Sequence, residues 1–165
     1  MSPNGGGKRQ RVEAPLEEGI TKEDAIKAVL NNWRVLFGDK YKAFKGDKDV
    51  IMAAIKEDPY AMKLADKALR DDKDVVMAAV AKEGDLLEFA GQTLKGNKKV
   101  VKAAVESDGF ALEWASDDLK NNKDIVKAAY KQNPGSLKFA SEEWQNRLKV
   151  KAPPYNWTKP WLNPN

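Results

Sequence analysis

The chain has 165 residues, of which 42% are hydrophobic and 33% charged, a composition typical of one globular domain with short extensions. It contains no cysteine and no histidine, so disulfides, thiolate zinc sites, cysteine nucleophiles and histidine-containing triads are excluded. Its net charge of +4 lies in residues 145–165, which hold four basic residues and no acid. The basic character therefore belongs to a short tail and not to the body of the chain.

Residues 1–19 form the first segment, which we predict to be flexible because it has a glycine triplet and no hydrophobic periodicity. Within it, Lys8, Arg9 and Arg11 resemble a short nuclear-localisation cluster, although matches this short often arise by chance. The segment lacks the apolar stretch of a secretory signal. The longest apolar run, 75–81, is also far shorter than the roughly 20 residues of a membrane helix. We therefore predict an intracellular protein, cytoplasmic or nuclear, without membrane insertion.

Residues 20–43 are predicted to form an N-terminal capping helical unit. Thr21 can cap a helix together with Asp24 three residues later, a variant of the capping box. An apolar stripe at helical spacing follows and ends at Gly38, a residue type that is common just after helices. The pattern predicts a helix longer than the later ones, which would shield one end of a stack.

Segment 44–146 repeats with a period of 25 residues, without gaps, over four copies. Each copy has a lysine near its start, a pair of alanines in its middle and a further alanine near its end. The copies begin at Phe44, Leu69, Leu94 and Leu119, and a fifth begins at Trp144 before the pattern is lost.

Each copy is predicted to contain two short helices. An Asp or Asn stands where the first helix needs an N-cap, and proline or glycine marks the turn into the second helix. Large residues in the second helix, and a closing hydrophobe after it, are expected to fill a continuous core between stacked units. The N-cap positions are Asp47, Asp72, Asn97 and Asn122. The large residues form two columns, Met62, Leu87, Leu112 and Leu137 in one and Leu64, Phe89, Trp114 and Phe139 in the other, and the closing hydrophobes are Leu69, Leu94, Leu119 and Trp144.

One such unit buries too little surface to fold alone, so the units must stack. The predicted fold is all-α, a short solenoid-like stack of helical hairpins, of either hand, with an N-terminal cap and extended termini. Small alanines on the first helix would let neighbouring helices approach closely.

The units resemble a known family, domain of unknown function 4116, whose tandem repeats follow a pattern like L-x-N-D-K-E-V-V-x-A-A-V-x-x-N-G-x-A-L-x-x-A-S-E-E. The stretch from Leu69 to Val80 matches the first half of this pattern, and the stretch from Ser107 to Asp118 matches the second half. The resemblance implies a small helical-repeat fold over about residues 44–146. It implies no catalytic residue, no cofactor and no activity.

Two kinds of charged residue could carry chemistry. The carboxylates of Asp71, Asp72 and Asp74 could act as acids and bases, but we interpret them as helix caps and first-turn acids, and their spacing is not that of a calcium loop. The lysine in each repeat could form a ridge for an anionic partner, yet an aspartate lies beside three of the four lysines and neutralises it. We therefore predict no metal, no cofactor, no small-molecule substrate and no enzymatic activity. The lysines are Lys48, Lys73, Lys98 and Lys123.

The last segment, 147–165, contains four prolines together with tyrosine and two tryptophans. Proline holds the backbone extended, and these aromatic types dominate interface energies, so we predict an arm that docks on a partner. The alternative is that the arm folds back and caps the open end of the stack beside Trp144. The candidate partner-binding residues are Tyr155, Trp157, Lys159, Trp161 and Leu162.

From these features we expect a helical-repeat module that binds other protein subunits, a scaffolding or accessory part of a larger assembly. The alternative is a nuclear or nucleic-acid-associated protein that uses the basic N-terminal cluster and the basic C-terminal arm.

Overall fold

The computed structural model describes residues 19–149, and within this range it contains helices and no strand. The α-helices are α1 (Lys22–Asn31), α2 (Lys48–Glu57), α3 (Lys67–Arg70), α4 (Lys73–Val80), α5 (Gln92–Lys95), α6 (Lys98–Ser107), α7 (Asp117–Lys120), α8 (Lys123–Gln132) and α9 (Glu142–Lys149). The 3₁₀ helices are Trp33–Phe37, Asp39–Gly46, Pro59–Leu64, Gly84–Phe89, Gly109–Trp114 and Pro134–Phe139. An all-α stack of repeated units is thus the fold of this region.

The long helix of each repeat begins at the predicted cap. The Oδ1 atom of Asp47 accepts hydrogen bonds from the backbone N–H groups of Asp49, at 2.9 Å, and Val50, at 3.2 Å. Asp72, Asn97 and Asn122 make the same pair of bonds at α4, α6 and α8. These bonds satisfy backbone donors that the first turn of a helix leaves free, so the N-cap prediction is confirmed.

The second helix of each repeat is not one helix, as predicted, but a 3₁₀ helix followed by a separate turn of α-helix. Between them, Ala65 and Asp66 are extended, and the Asp66 N–H donates to the carbonyl of Lys45, at the start of the same copy, at 2.9 Å. The bond recurs at the same offset in the later copies, so at the break the main chain bonds to the start of its own copy instead of continuing the helix. The other pairs are Gly91 with Arg70, Ser116 with Lys95, and Ser141 with Lys120.

The first unit is built like the others and not around one long helix. Its α-helix stops at Asn31, because Asn32 is extended and its side chain accepts from the Arg34 N–H at 3.1 Å, which starts a new 3₁₀ helix. The expected capping box at Thr21 and Asp24 is present, with both reciprocal hydrogen bonds formed.

The outer side of this first unit is polar. When α1 and α2 are aligned from their first residues, Asp24 and Lys27 occupy the positions of Val50 and Ala53. Asp24 and Lys27 are exposed, whereas Val50 and Ala53 are buried at 0% and 8% exposure. A polar outer face is what a repeat stack needs at a free end.

The core runs along the stack between the long helices and the 3₁₀ helices. The closing hydrophobes Leu69, Leu94, Leu119 and Trp144 are buried, as expected. Of the two large-residue columns, the inner one is fully buried at Met62, Leu87 and Leu112. The outer column was also predicted to be core, and this prediction is wrong: Leu64, Phe89, Trp114 and Phe139 are only partly buried, packed against the core from outside.

A buried hydroxyl in the last repeat is left without a partner. Ser136 is fully buried, its Oγ forms no hydrogen bond, and alanine occupies the equivalent positions 61 and 111. Because an unpaired buried hydroxyl costs about 1–3 kcal/mol, Ser136→Ala should raise the free energy of unfolding by about 1 kcal/mol, measured by urea denaturation.

The matched control for this prediction is Ser107→Ala. The Ser107 Oγ donates to the Lys82 carbonyl of the preceding unit at 3.1 Å, so its removal should lower stability or leave it unchanged. A loss of stability in Ser136→Ala would show that the hydroxyl is satisfied in solution.

Candidate interaction surface

The repeated lysines pair across the junctions between units. Lys48 Nζ donates to Oδ2 of Asp72 at 2.9 Å and to Oδ2 of Asp74 at 2.8 Å, in the next repeat. Lys98 pairs with Asp124 at 2.7 Å in the same manner. In the first unit Lys22 contacts both Asp47 and Asp49. In these units the lysine at the first helical position thus holds one or two acids at the start of the following long helix.

Several members of these ion pairs have shifted pKa values. The hydrogen bonds to Asp74 and Asp72 raise the pKa of Lys48, and the bond from Lys48 lowers the pKa of Asp72. The bond from Lys98 likewise lowers the pKa of Asp124. The stabilisation from these acids is present above their unfolded pKa and is lost as the pH falls through the lowered value. In this row, Lys48 and Lys98 are thus held by acids of the stack.

The row has one gap, at the junction of the second and third repeats. Lys99 stands where the other repeats have Asp49, Asp74 and Asp124, and Lys73 has no ion pair within residues 19–149. Lys99→Asp should complete the row and also place an acid in the first turn of α6. We expect the melting temperature to rise by about 1–3 °C, less at high salt.

The control for Lys99→Asp is the same change in a Lys73→Ala background, which forms a double-mutant cycle. A smaller rise in that background isolates the ion pair with Lys73. An equal rise in both backgrounds would show that the gain comes from the helix terminus alone.

The three candidate acid–base carboxylates all have structural partners. Asp72 caps α4, Asp74 accepts from Lys48, and Asp71 pairs with Lys67 at 2.9 Å. In the part of the chain that the structure describes, no group of three or more carboxylates is arranged to hold a metal ion. The acids therefore act as caps and ion-pair partners in this fold.

An open depression of about 560 Å³ lies at the N-terminal end of the stack, beside the start of the described chain. Its carboxylate, Asp24, is engaged by the Thr21 hydroxyl at 2.8 Å. Its lining therefore belongs to the cap of the first unit. The lining residues are Gly19, Ile20, Thr21, Asp24, Lys27, Lys40 and Tyr41.

The 3₁₀ helices present aromatic rings at the surface instead of burying them. Successive 3₁₀ helices pack side by side along the stack, so residues 25 apart form rows on one side of the molecule. We call this side the aromatic face. It comprises Tyr60, Phe89, Phe110, Trp114 and Phe139, together with Lys63, Lys95 and Lys138.

Contacts across junctions join the rings of the aromatic face. Phe110 lies edge-on to Phe139 of the next repeat, with ring centroids 6.1 Å apart, and Phe110 remains 38% exposed. The Tyr60 hydroxyl donates to Asp85 of the next repeat at 3.2 Å. The face therefore spans all four repeats as a partly exposed surface, with contacts that join the first repeat to the second and the third to the fourth.

Lysines cover part of these rings. Lys63 Nζ lies 4.5 Å from the Phe89 centroid and 4.8 Å from that of Tyr60. Lys138 lies 4.6 Å from the Phe139 centroid and 5.3 Å from that of Phe110. Such cation–π contacts contribute about 0.5–1 kcal/mol each at exposed sites, so a ligand can displace the ammonium groups at low cost.

Sequence reasoning placed Phe89, Trp114 and Phe139 in the core because their 25-residue spacing equals that of the true core column. The neighbouring residues carried the missing signal: positions 63, 88, 113 and 138 are all charged, which marks that side of the 3₁₀ helices as solvent-facing. The candidate residues of the termini, from Lys8 to Arg11 and from Tyr155 to Leu162, lie outside the described residues.

None of the described helices is long and apolar enough to cross a membrane. A comparison with curated proteins and one with solved structures found no match. A family described as "Domain of unknown function (DUF4116)" matches the chain twice in tandem, over residues 47–95 and 97–145. Each match spans two of the 25-residue units, and together they cover more than half of the sequence. The chain therefore belongs to the DUF4116 family, as its repeat pattern predicted.

Proposed function

We propose that this protein is a non-enzymatic interaction module, a scaffolding or accessory subunit that binds a segment of another protein on its aromatic face. The observation that supports the proposal is the row of partly exposed rings along the 3₁₀ helices. Trp and Tyr are enriched among the residues that dominate protein interfaces, and a stack of repeats presents a long surface for one partner.

The charges on the face favour a protein over a nucleic acid. The charged row contains Lys63 and Lys138 at its ends and Glu88 and Glu113 between them. A phosphate backbone requires a continuous positive groove, whereas a peptide can meet both signs. The nucleic-acid alternative rests on the basic termini and on the pairing of lysines with rings, an arrangement that also suits base stacking.

The test compares two single variants of the full chain in quantitative affinity capture from the native source. Phe110→Ser removes a ring from the aromatic face, and Phe37→Ser removes an exposed ring of the first unit that lies outside it. We expect a partner that the parent chain and Phe37→Ser retain equally and that Phe110→Ser loses.

Equal capture by both variants would contradict binding at this face. Binding to single-stranded DNA or RNA that weakens steeply with salt would instead favour the alternative function.

A further inference from the structure

The two ends of the stack differ in how they are capped. The first unit closes its end with the exposed polar residues Asp24 and Lys27. At the other end, α8 packs against α6 on one side only, whereas α6 packs against both α4 and α8. Within residues 19–149, the outward side of α8 lacks the neighbour that every earlier long helix has.

Burial shows what this end lacks. Ile55, Val80 and Val105 are buried at 1%, 0% and 0% exposure, but Tyr130, at the same position of α8, is only partly buried. In the 3₁₀ helix of the last unit, Leu137 is likewise only partly buried, while the equivalent Leu112 is fully buried. The end therefore leaves partly exposed two apolar side chains that a further unit covers at internal junctions, beside exposed lysines of α8.

The charge at this end points to the same kind of occupant. Lys123 stands at the first position of α8, where Lys48 and Lys98 hold an aspartate of the next unit. Within the described residues Lys123 has no ion pair. It is therefore positioned to pair with an acid at the second residue of a further long helix, as Lys48 and Lys98 do with Asp74 and Asp124.

We propose that this end, which we call the open end (Lys123, Tyr130 and Leu137), binds a terminal helical repeat of another protein. The partner's long helix would begin with the pattern Asp-x-Asp-Val-x-x-Ala, which α2 and α4 present to their preceding units. The new junction would then continue the internal ones, with the same ion pair and the same apolar contact.

Two other occupants fit less well. Residues 150–165 contain Lys151 and Lys159 and no acid, while α8 already exposes Lys123, Lys127 and Lys131, so the charges are alike. The first unit of a second copy presents Asp24 and Lys27 where the junction requires Val and Ala.

The experiment uses a full-length probe that carries the missing pattern. In the probe, the outer side of the first unit receives the Asp-x-Asp-Val-x-x-Ala pattern through Thr21→Asp, Glu23→Asp, Asp24→Val and Lys27→Ala. The probe's own open end is blocked by Lys123→Asp and Tyr130→Lys. We expect a 1:1 complex of the probe with the parent chain in sedimentation velocity. A second probe with only the open end blocked should remain separate.

A matched pair of changes in the parent chain tests the contact. Lys123→Ala should weaken binding of the probe about fivefold, the effect of losing one exposed ion pair, and Lys56→Ala, at an exposed position of α2 remote from the open end, should leave it unchanged. Circular dichroism confirms that each chain is folded.

Three outcomes would overturn the proposal. A folded probe that binds neither the parent chain nor a chain lacking residues 150–165 would show that the open end does not accept a repeat. Binding of the probe only after removal of 150–165 would show that this segment occupies the open end. Self-association of the parent chain that Tyr130→Lys abolishes would show that the occupant is a second copy. Since the aromatic face takes no part, the proposed function is tested separately.

Discussion

Replacing Gly84 with alanine is expected to lower the free energy of unfolding by about 2–4 kcal/mol, and the melting temperature by about 10 °C. A Cβ atom at this position would lie 2.2 Å from the Ala104 carbonyl oxygen and 2.8 Å from the Asp108 amide nitrogen. Both are main-chain atoms of the next repeat, so relief requires moving α6 as a whole. Thermal and urea denaturation of the full chain measure the loss.

The control for Gly84→Ala is Gly96→Ala. A Cβ at Gly96 would meet nothing closer than 3.5 Å, and its backbone conformation suits alanine. Its stability should be unchanged or slightly raised. Equal stability of the two variants would mean that adjacent repeats do not approach as closely as the structure shows.

The second prediction with a large effect compares the loss of stability on alanine substitution in the two columns of large side chains. Leu112 is fully buried, so Leu112→Ala should lower the free energy of unfolding by about 3–4 kcal/mol. Trp114 is larger but only partly buried in the outer column, so Trp114→Ala should lower it by about 2 kcal/mol. Urea denaturation of both variants gives the comparison. If Trp114→Ala costs more than Leu112→Ala, the outer column is core and the assigned register of the 3₁₀ helices is wrong.

The sequence was sufficient to predict the features that depend on a residue type at a fixed position. Asp47 and its equivalents were identifiable as caps because few residue types can bond the free N–H groups of a first helical turn. Leu69, Leu94, Leu119 and Trp144 were identifiable as core because every copy places a large hydrophobe there.

Two kinds of feature could not be predicted in this way. One is a hydrogen bond between main-chain groups, and the other is a contact that a different type of side chain makes in each repeat. The bond between the Asp66 N–H and the Lys45 carbonyl involves no side chain, so the sequence does not distinguish a broken second helix from a continuous one. Lys82, Ser107 and Gln132 each bond carbonyl groups of the preceding repeat, yet they differ in chemistry and form no recognisable column.

The candidate surface was missed for a related reason. Periodicity shows which residues share an environment and does not show which environment it is. Trp114 and Leu112 repeat with the same period, but the 3₁₀ helix, with three residues per turn, turns one toward the core and leaves the other at the surface.

The most direct test of the central claim is hydrogen exchange of the full chain with and without the protein that Phe110→Ser fails to capture. If the aromatic face binds that protein, amide protection should increase in the 3₁₀ helices Pro59–Leu64, Gly84–Phe89, Gly109–Trp114 and Pro134–Phe139. The outward surfaces of α2, α4, α6 and α8 should be unchanged. Protection confined to the long helices, or to the first unit, would contradict the account.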